Sequence, residues 1–434
     1  MMLRLHRIIW EMLRAVWAFT TSGSEEQLIN GNLFYLEPER TAFSLDVKPV
    51  KYPEKCKLVQ LHLNMRHGAR YPAPNDINAY EKLEKAFANV PIAKEWYKNV
   101  FPMRKNFQLI KRGEIESFFD GKQSRQRYPE FWRVKYDPEV VKFQSAGTSR
   151  AGASAMAFSE GLFNGKGSLD TCKSQPVYIS SVPVQDEILT PFFDTCSRWN
   201  ETVFKNNPLR DEQLYSYGNK TLAQIAKRLS DEHGLSPPLD PHLLPYMFTN
   251  CQYWVVHFNR TDTWCSLLSR KELLLLRYYW DIWGYYTVQY GHPLNKRIAC
   301  RYITQLVNGV DDYISGKSLM IADLKFAHGY ILLTTFTLLG VFKENHPLTA
   351  DLTFEQIKKV RYTEYATLHW TSTLYWEVYS CSGDHKDNVK IRAVLNFKPL
   401  VIPGCGSEYC DWNKFKELFS DQIGCDFKKM CTYP

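Results

Sequence analysis

The sequence lacks several features that would assign it to common protein classes. No apolar run reaches the ~18 residues needed to span a membrane, and the longest, residues 331–342, is interrupted by threonines. There is no run of five or more Lys and Arg residues, so the formal charge of +8 is too dispersed to indicate nucleic acid as a partner. The P-loop, G-x-S-x-G and H-E-x-x-H motifs are also missing. These absences argue against a membrane-spanning protein, a nucleic-acid binder and the enzyme classes that those motifs mark.

What the sequence does contain is typical of a folded protein. Of its 434 residues, 44% are apolar, 15% aromatic and 23% charged, which is ample material for a buried core. The length exceeds that of one ordinary core, so we expect two domains or one large domain with an inserted lobe. The mild positive charge suits a small polyanionic substrate.

The cysteine content indicates an oxidising compartment. There are eleven cysteines, and four of them lie close together near the C-terminus: Cys405, Cys410, Cys425 and Cys431. Their spacings, C-x4-C and C-x5-C, are looser than those of zinc ribbons, so disulfide bonds are favoured over the alternative of a zinc site. The odd total leaves at least one cysteine unpaired.

The terminal segments give a weaker indication of targeting. Residues 1–45 are predicted to be an N-terminal segment with at most a weak signal peptide, because Glu11 and Arg14 interrupt its apolar stretch, and either Met1 or Met12 fits as the start. The C-terminus is not a KDEL-type retrieval signal. Three glycosylation sequons begin at Asn200, Asn219 and Asn259. Together with the cysteines, these features predict a protein that is secreted or lies in the lumen of the endoplasmic reticulum.

One segment combines a strand pattern with a charged loop. Apolar and polar residues alternate over residues 57–65, which is the period of a β-strand. The sequence R-H-G-A-R-Y-P follows directly at residues 66–72, where glycine and proline mark a loop. Open α/β sheets bind their ligands at the carboxyl ends of the strands. The candidate site therefore begins here, with Arg66, His67 and Arg70.

Two further predicted strands end in residues of the same chemical kind. One covers residues 140–146 and is followed by Arg150 at the start of a helix that extends to residue 162. The other covers residues 319–327 and is followed by His328 and a helix that ends near residue 339. We therefore expect one edge of a sheet to collect five side chains around one pocket: Arg66, His67, Arg70, Arg150 and His328.

The remaining sequence predicts the division of the fold. Residues 165–310 show helical apolar spacing and are predicted to form a mainly α-helical cap lobe. Residues 391–397 alternate like a strand with one face in solvent. The predicted fold class is α/β, a Rossmann-like sheet with an inserted helical cap, in which residues 46–164 and 311–434 form a discontinuous core.

This set of residues suits the hydrolysis of a phosphate monoester. A neutral imidazole such as that of His67 can attack phosphorus without first losing a proton, and the resulting phosphohistidine can be opened by water. Guanidinium groups bind phosphate oxygens in pairs and stay charged at physiological pH. His328 would add a donor if it were protonated. The chemistry requires no cofactor and no metal, and its expected partners are small phosphate esters.

The same residues resemble the histidine acid phosphatases and, within them, the multiple inositol polyphosphate phosphatases. The element R-H-G-x-R-x-P defines the superfamily, and the likeness covers roughly residues 56–420. It continues through these segments: 109–113, 127–129, 149–150, 160–163, 192–196, 264–265 and 326–328. The resemblance implies a phosphate-accepting His67, phosphate-clamping Arg66, Arg70 and Arg150, and a further contact from His328. It also implies inositol polyphosphates, phytate among them, and 2,3-bisphosphoglycerate as substrates.

One position departs from the pattern of the family. In this branch Ala-Glu follows the second histidine, and the glutamate is the proton donor; in the wider superfamily an aspartate follows directly. Here Gly329 and Tyr330 follow His328, and a phenol with a pKa near 10 holds its proton too tightly for efficient acid catalysis at neutral pH. Pro191 and Asp281 also stand where the family tends to be basic, which would weaken the attraction of phytate.

Two hypotheses therefore stay open at this point. The first is an active phosphatase whose rate is impaired by the missing acid. The second is a pseudophosphatase that binds polyanionic phosphates with little or no turnover. A purely structural module is disfavoured, because arginines gathered without an anion are costly.

Overall fold

The structure, a computed structural model, contains one mixed β-sheet. It describes residues 47–433, apart from residues 184–185, 187, 191, 361–368 and 383–387, so the expected N-terminal segment and Pro191 lie outside the described residues. The sheet has eight strands: β1 (Cys56–Arg66), β2 (Val141–Ser145), β3 (Ile179–Ser181), β4 (Ala322–Ala327), β5 (Thr373–Cys381), β6 (Val389–Leu395), β7 (Lys398–Leu400) and β8 (Cys410–Asp411). Their order is β3-β2-β4-β1-β5-β6-β7, and β8 pairs with β6.

The order of the strands places the charged loops together. Strands β1, β2, β3 and β4 are parallel neighbours, whereas β5 to β8 are antiparallel. The loops that follow β1, β2 and β4 therefore emerge at one edge of the sheet. All three predicted strands are confirmed, although β4 begins at Ala322 and not at Leu319, whose side chain is 75% exposed.

Helices lie before, between and after these strands. The longer helices are α1 (Pro74–Phe87), α2 (Lys111–Arg127), α3 (Ser149–Leu162), α4 (Pro208–Tyr217), α5 (Ala223–His233), α6 (Leu244–Phe258), α7 (Arg270–Val288), α8 (Cys300–Ile314), α9 (Gly329–Leu339) and α10 (Trp412–Leu418). Shorter helical segments are Phe192–Thr195, Ser197–Trp199, Phe354–Ile357 and Phe427–Cys431. Within the described part of the chain, every helix is too short or too polar to cross a bilayer.

Both faces of the sheet are covered, as in other layered α/β proteins. On one face, Leu61 and Leu63 of β1 pack in a core that includes Phe158 of α3. On the other face, Trp376 of β5 belongs to a core with Tyr302 of α8, and its indole N–H donates to the Tyr302 hydroxyl at 2.9 Å. The predicted α/β class with a central sheet is confirmed.

One prediction about the sheet was wrong. The face of β6 that was expected in solvent is mostly buried, because Arg392 is only 4% exposed and Val394 is fully buried, whereas Lys390 is partly exposed. Its Nε donates to Glu377 on the neighbouring strand β5 at 2.6 Å, and its Nη1 donates to the Tyr409 hydroxyl at 2.5 Å. The alternation of residues in β6 therefore reflects a buried ion pair and not contact with water.

Disulfide bonds account for ten of the eleven cysteines. The pairs are Cys56–Cys381, Cys196–Cys431, Cys251–Cys265, Cys300–Cys425 and Cys405–Cys410, and the exposed Cys172 is free. All four C-terminal cysteines lie in disulfides, so the disulfide prediction is confirmed over a zinc site at these residues.

The division into domains stays a prediction. Helices α4 to α7 lie within residues 165–310, in agreement with a mainly helical lobe. Strand β3 also lies in that range, yet it pairs with β2 in the sheet.

Candidate active site

The loop after β1 is held in place by backbone contacts. The amide of His67 donates to the carbonyl of Ala327 at the end of β4, at 3.0 Å. The amide of Gly68 donates to Ser154 Oγ on α3 at 2.9 Å. Gly68 also lies against Gly113 at the start of α2, and a Cβ on Gly68 would meet the Gly113 carbonyl oxygen at 2.3 Å. The packing of two strands and two helices thus determines where His67 lies.

Two hydrogen bonds select one tautomer of His67. Its Nδ1 lies 2.9 Å from the carbonyl oxygen of Gly68, and a carbonyl can only accept, so Nδ1 carries the proton. Its Nε2 accepts a hydrogen bond from Arg150 Nε at 3.2 Å. The Nε2 lone pair is therefore the nucleophilic one, and it points toward a guanidinium group.

Arg150 connects the two histidines. It is the second residue of α3, and its Nη2 lies 3.4 Å from Nδ1 of His328. Since a guanidinium only donates, the His328 proton resides on Nε2, which is buried without a hydrogen-bond partner among the described residues. The rings of His67 and His328 lie edge to face with centroids 5.3 Å apart. Arg150 therefore determines the tautomer of both histidines.

The other two arginines lie against aromatic rings. The guanidinium of Arg66 is 4.1 Å from the centroid of Trp370, and that of Arg70 is 5.2 Å from the same ring. Trp370 also lies 5.6 Å from the ring of His67. Arg70 donates to the hydroxyl of Tyr253 on α6 at 3.0 Å. The structure thus brings together all five residues that the sequence singled out around the predicted site.

Electrostatics keep both histidines neutral. Burial lowers the pKa of His67 well below its usual value, and His328 and the three arginines lower it further. Burial, and then the charges of Arg150, Arg70 and Arg66, lowers the pKa of His328 to about 3. His328 is therefore a neutral donor, and the protonated form that the sequence left open is disfavoured here. Burial and Arg70 lower the pKa of Arg150 to about 10, which leaves it charged at neutral pH.

Tyr330 lies where the family has its acid. It is the second residue of α9, directly after the His328–Gly329 turn. Burial raises the pKa of its phenol to about 12, although the charges of Arg70 and Arg66 lower it in part. The phenol is thus a weaker acid here than in water. Asp281, which stands where the family tends to be basic, is buried and lies 3.5 Å from Arg277.

Three side chains at the site were not found from the sequence: Trp370, Phe107 and Tyr253. Phe107 lies 4.9 Å from the Arg70 guanidinium and 5.1 Å from that of Arg150. The only indication of Phe107 in the sequence was its position just before residues 109–113, a segment that resembles the family. Trp370 and Tyr253 come from distant parts of the chain, and no local pattern marks them.

Comparison with known proteins identifies the family of the chain. Residues 57–396 match the family described as the histidine phosphatase superfamily, branch 2. Multiple inositol polyphosphate phosphatase 1 of Dictyostelium discoideum is 28% identical over 431 residues, covering 86% of this chain and 67% of that protein. The human protein of the same name is 22% identical over 423 residues, covering 87% of this chain and 82% of its own length.

Solved structures show the same fold. The phytase from D. castellii superimposes with a TM-score of 0.74 at 17% identity, covering 96% of this chain and 91% of that chain. The multiple inositol polyphosphate phosphatase of Bifidobacterium longum, in complex with inositol hexasulfate, gives a TM-score of 0.68 at 14% identity and covers 90% of this chain and 97% of its own. The chain therefore belongs to branch 2 of the histidine phosphatase superfamily and is a phosphoric monoester hydrolase of the histidine acid phosphatase type.

Proposed function

We propose that the protein hydrolyses inositol polyphosphates, including phytate, through a phosphohistidine at His67. 2,3-Bisphosphoglycerate is a second proposed substrate. The observation that carries this proposal is the contact of a single guanidinium, that of Arg150, with both His67 Nε2 and His328 Nδ1. A phosphoryl group placed there would face a neutral nucleophile and several donors at once. The names of the relatives support the choice of inositol polyphosphates.

The proposed reaction begins with exchange of a hydrogen bond. In this structure the Nε–H of Arg150 donates to the lone pair of His67 Nε2. A phosphate oxygen is a stronger acceptor for a guanidinium, so substrate binding would draw Arg150 away and release Nε2 for attack. Arg66 and Arg70 would hold the other non-bridging oxygens, and His328 Nε2–H would donate to one of them. Water then opens the phosphohistidine.

Protonation of the leaving group is the slow part of the proposed reaction. The leaving alkoxide needs a proton, and Tyr330, with a pKa of about 12, supplies it poorly. Loss of a general acid typically costs about 10²-fold to 10⁴-fold in rate, so we propose a slow enzyme. The same observation favours the second candidate, a pseudophosphatase that binds polyanionic phosphates.

A phosphate-release assay separates these two functions. Wild type, Tyr330→Glu and His67→Ala are compared on inositol hexakisphosphate at equal protein concentration. We expect release by the wild type above the His67→Ala background, and an increase of up to about 10²-fold to 10⁴-fold with Tyr330→Glu. Tight binding of inositol hexakisphosphate without release above that background would instead establish the pseudophosphatase.

We also propose that the protein works in an oxidising compartment, outside the cell or in the lumen of the endoplasmic reticulum. Five disulfide bonds support this location, because such bonds are rare in the reducing cytosol. The sequon residues Asn219 and Asn259 are exposed. Secretion into the medium, with a mass decrease after endoglycosidase treatment, is the result that we expect from expression in cultured eukaryotic cells.

A further inference from the structure

The three arginines of the candidate site are linked by two aromatic rings. The guanidinium of Arg66 lies over the ring of Trp370, 4.1 Å from its centroid, and that of Arg70 lies over the same ring at 5.2 Å. The guanidinium of Arg70 also lies over the ring of Phe107 at 4.9 Å, and that of Arg150 lies over this second ring at 5.1 Å. Cations and rings therefore alternate along one series of contacts. We call it the cation–aromatic array: Arg66, Trp370, Arg70, Phe107 and Arg150.

The array holds like charges close together without neutralising them. Burial and then the charge of Arg70 lower the pKa of Arg150 to about 10, so these two cations act on each other. Among the described residues, their hydrogen-bond acceptors are neutral groups. Arg70 donates to the Tyr71 carbonyl and the Tyr253 hydroxyl, and Arg150 donates to the two histidines of the site.

An aromatic ring suits this purpose better than a carboxylate would. A carboxylate takes up the N–H donors of a guanidinium and cancels its charge. The face of an aromatic ring carries partial negative charge and attracts a cation, but the ring has no net charge. The rings of Trp370 and Phe107 can therefore stabilise the arginines and leave their attraction for a phosphate intact.

Two residues with a left-handed backbone place these rings. Phe107 itself has a φ of 58°, and Thr371, which follows Trp370, has a φ of 62°. Such angles are unfavourable for residues other than glycine, and most of all for a β-branched threonine, so the surrounding contacts must impose them. The amide of Phe107 donates to the Pro72 carbonyl, and the amide of Thr371 donates to the His67 carbonyl, both at 3.3 Å. Both strained residues are thus bonded to the loop after β1.

We propose that Trp370 and Phe107 are positioning residues that hold the phosphate-binding arginines by their ring faces, so that the site is ordered before phosphate binds. This inference rests on the proposed function, because it takes Arg66, Arg70 and Arg150 as the groups that bind the phosphoryl oxygens. A guanidinium that is fixed in advance loses less conformational freedom on binding. It is also already aimed at the oxygens on which charge develops in the transition state.

Fluorination of the ring at position 107 tests the proposal, because fluorine weakens the negative face of the ring with little change in its shape. Phe107 is replaced in the full chain by its monofluoro, difluoro and trifluoro analogues, and the Kd of inorganic phosphate is measured by calorimetry. We expect the Kd to rise with each fluorine, by about 2-fold to 30-fold in all, the range that cation–π contacts span. The same Kd throughout the series would show that the ring only fills space, and would overturn the proposal.

The same series at Phe354 is the matched control. The ring of Phe354 also contacts two cations, those of Lys271 at 5.2 Å and Lys358 at 5.5 Å, but neither lysine belongs to the array. Fluorination there should leave the Kd of inorganic phosphate unchanged. An equal rise of the Kd in both series would reveal a general effect of fluorine and would likewise overturn the proposal.

A pair of substitutions extends the test to the second ring. Trp370→Phe keeps a ring face for Arg66 and Arg70, whereas Trp370→Leu keeps only apolar bulk. The leucine variant should bind inorganic phosphate about 2-fold to 30-fold more weakly than the wild type, and the phenylalanine variant should recover most of this loss. Equal losses in the two variants would show that the ring face of Trp370 does not position the arginines.

The outcomes separate this inference from the proposed function. The wild type could bind phosphate and release it from inositol hexakisphosphate in a manner that depends on His67, while fluorine at position 107 has no effect. That result would overturn the positioning role and leave the proposed function standing. No phosphate binding by the wild type, together with no release above the His67→Ala background, would overturn both.

Discussion

At the scale of single residues, Arg150 makes several different contacts at the candidate site. Its guanidinium reaches both histidines, lies 5.1 Å from the centroid of Phe107 and repels Arg70. A lysine at this position has a single ammonium group in place of the planar guanidinium with its several N–H donors. It therefore cannot contact His67 and His328 at the same time. The site therefore depends on the shape of this side chain as well as on its charge.

We expect Arg150→Lys to lower kcat/KM by about 10²-fold to 10³-fold, the usual effect of losing one donor to a transition-state oxygen. Arg125→Lys is the control, because Arg125 donates to the carbonyl of Asn164 on the surface. Both variants should unfold at the temperature of the wild type. Equal activity of the Arg150→Lys variant and the wild type would remove Arg150 from the mechanism.

The pKa shifts predict an unusual pH profile. The folded-state pKa of His67 is lowered, so this imidazole stays neutral and nucleophilic as the pH falls below 6.5. His328 likewise stays neutral, since its pKa is about 3. After correction for the second ionisation of the substrate phosphate, near 6, we expect kcat/KM to show no ionisation of His67 between about pH 5 and 8. An ionisation near pH 6.5 in kcat/KM that remains after this correction would contradict this expectation.

At the scale of elements, the backbone of the loop after β1 is in close contact with the start of α2. A Cβ on Gly113 would meet the Ala69 carbonyl oxygen at 2.3 Å and the Ala69 amide nitrogen at 2.5 Å. These are backbone atoms, so they cannot rotate away as a side chain would. The close approach allows the loop that carries His67 to lie against the start of α2.

Gly113→Ala should therefore lower the free energy of unfolding by about 1 to 3 kcal/mol or more and displace His67, which lowers kcat as well. Gly152→Ala on α3 is the matched control, because its new Cβ would meet only Ser145 Oγ at 3.7 Å. Alanine in that helix should be neutral or stabilising by about 0.5 to 1 kcal/mol. Urea unfolding measures the free energy of unfolding of both variants. A Gly113→Ala variant as stable as Gly152→Ala would show that the loop after β1 can move away from α2.

At the scale of the whole molecule, disulfides join segments that are distant in sequence. Cys56–Cys381 joins β1 to β5, and Cys196–Cys431 joins the helical region to the C-terminal helix Phe427–Cys431. Such links restrict the unfolded chain more than the folded one. They hold the C-terminal segment against the rest of the protein.

Replacement of Cys196 and Cys431 by serine should lower the free energy of unfolding by about 2 to 5 kcal/mol. Cys172→Ser is the control and should change it by less than about 0.5 kcal/mol, since that thiol is exposed and unpaired. The native protein should also react with one equivalent of a thiol reagent. Two or more reactive thiols before reduction would show that one of the five bonds is not formed.

Much of the site could be predicted because short sequence patterns mark the strands and loops that form it. The strand at residues 57–65 is marked by its own alternation, and the charged residues of the loop follow it directly in the chain. The rule that parallel strands present their loops at one edge then placed Arg150 and His328 beside His67. The family, the fold class and the absence of an acid at position 330 also follow from residues adjacent in sequence.

What only the tertiary structure decided depends on contacts between distant segments. The burial of Arg392 requires Glu377 and Tyr409, which no periodicity within β6 can indicate. The pairing of ten cysteines and the stacking of Trp370 on Arg66 likewise arise where remote residues meet. The sequence by itself determined the local elements and the phosphate-binding residues, because these are encoded over short stretches. Long-range packing determined the surroundings of the site, because burial and pairing depend on which elements become neighbours.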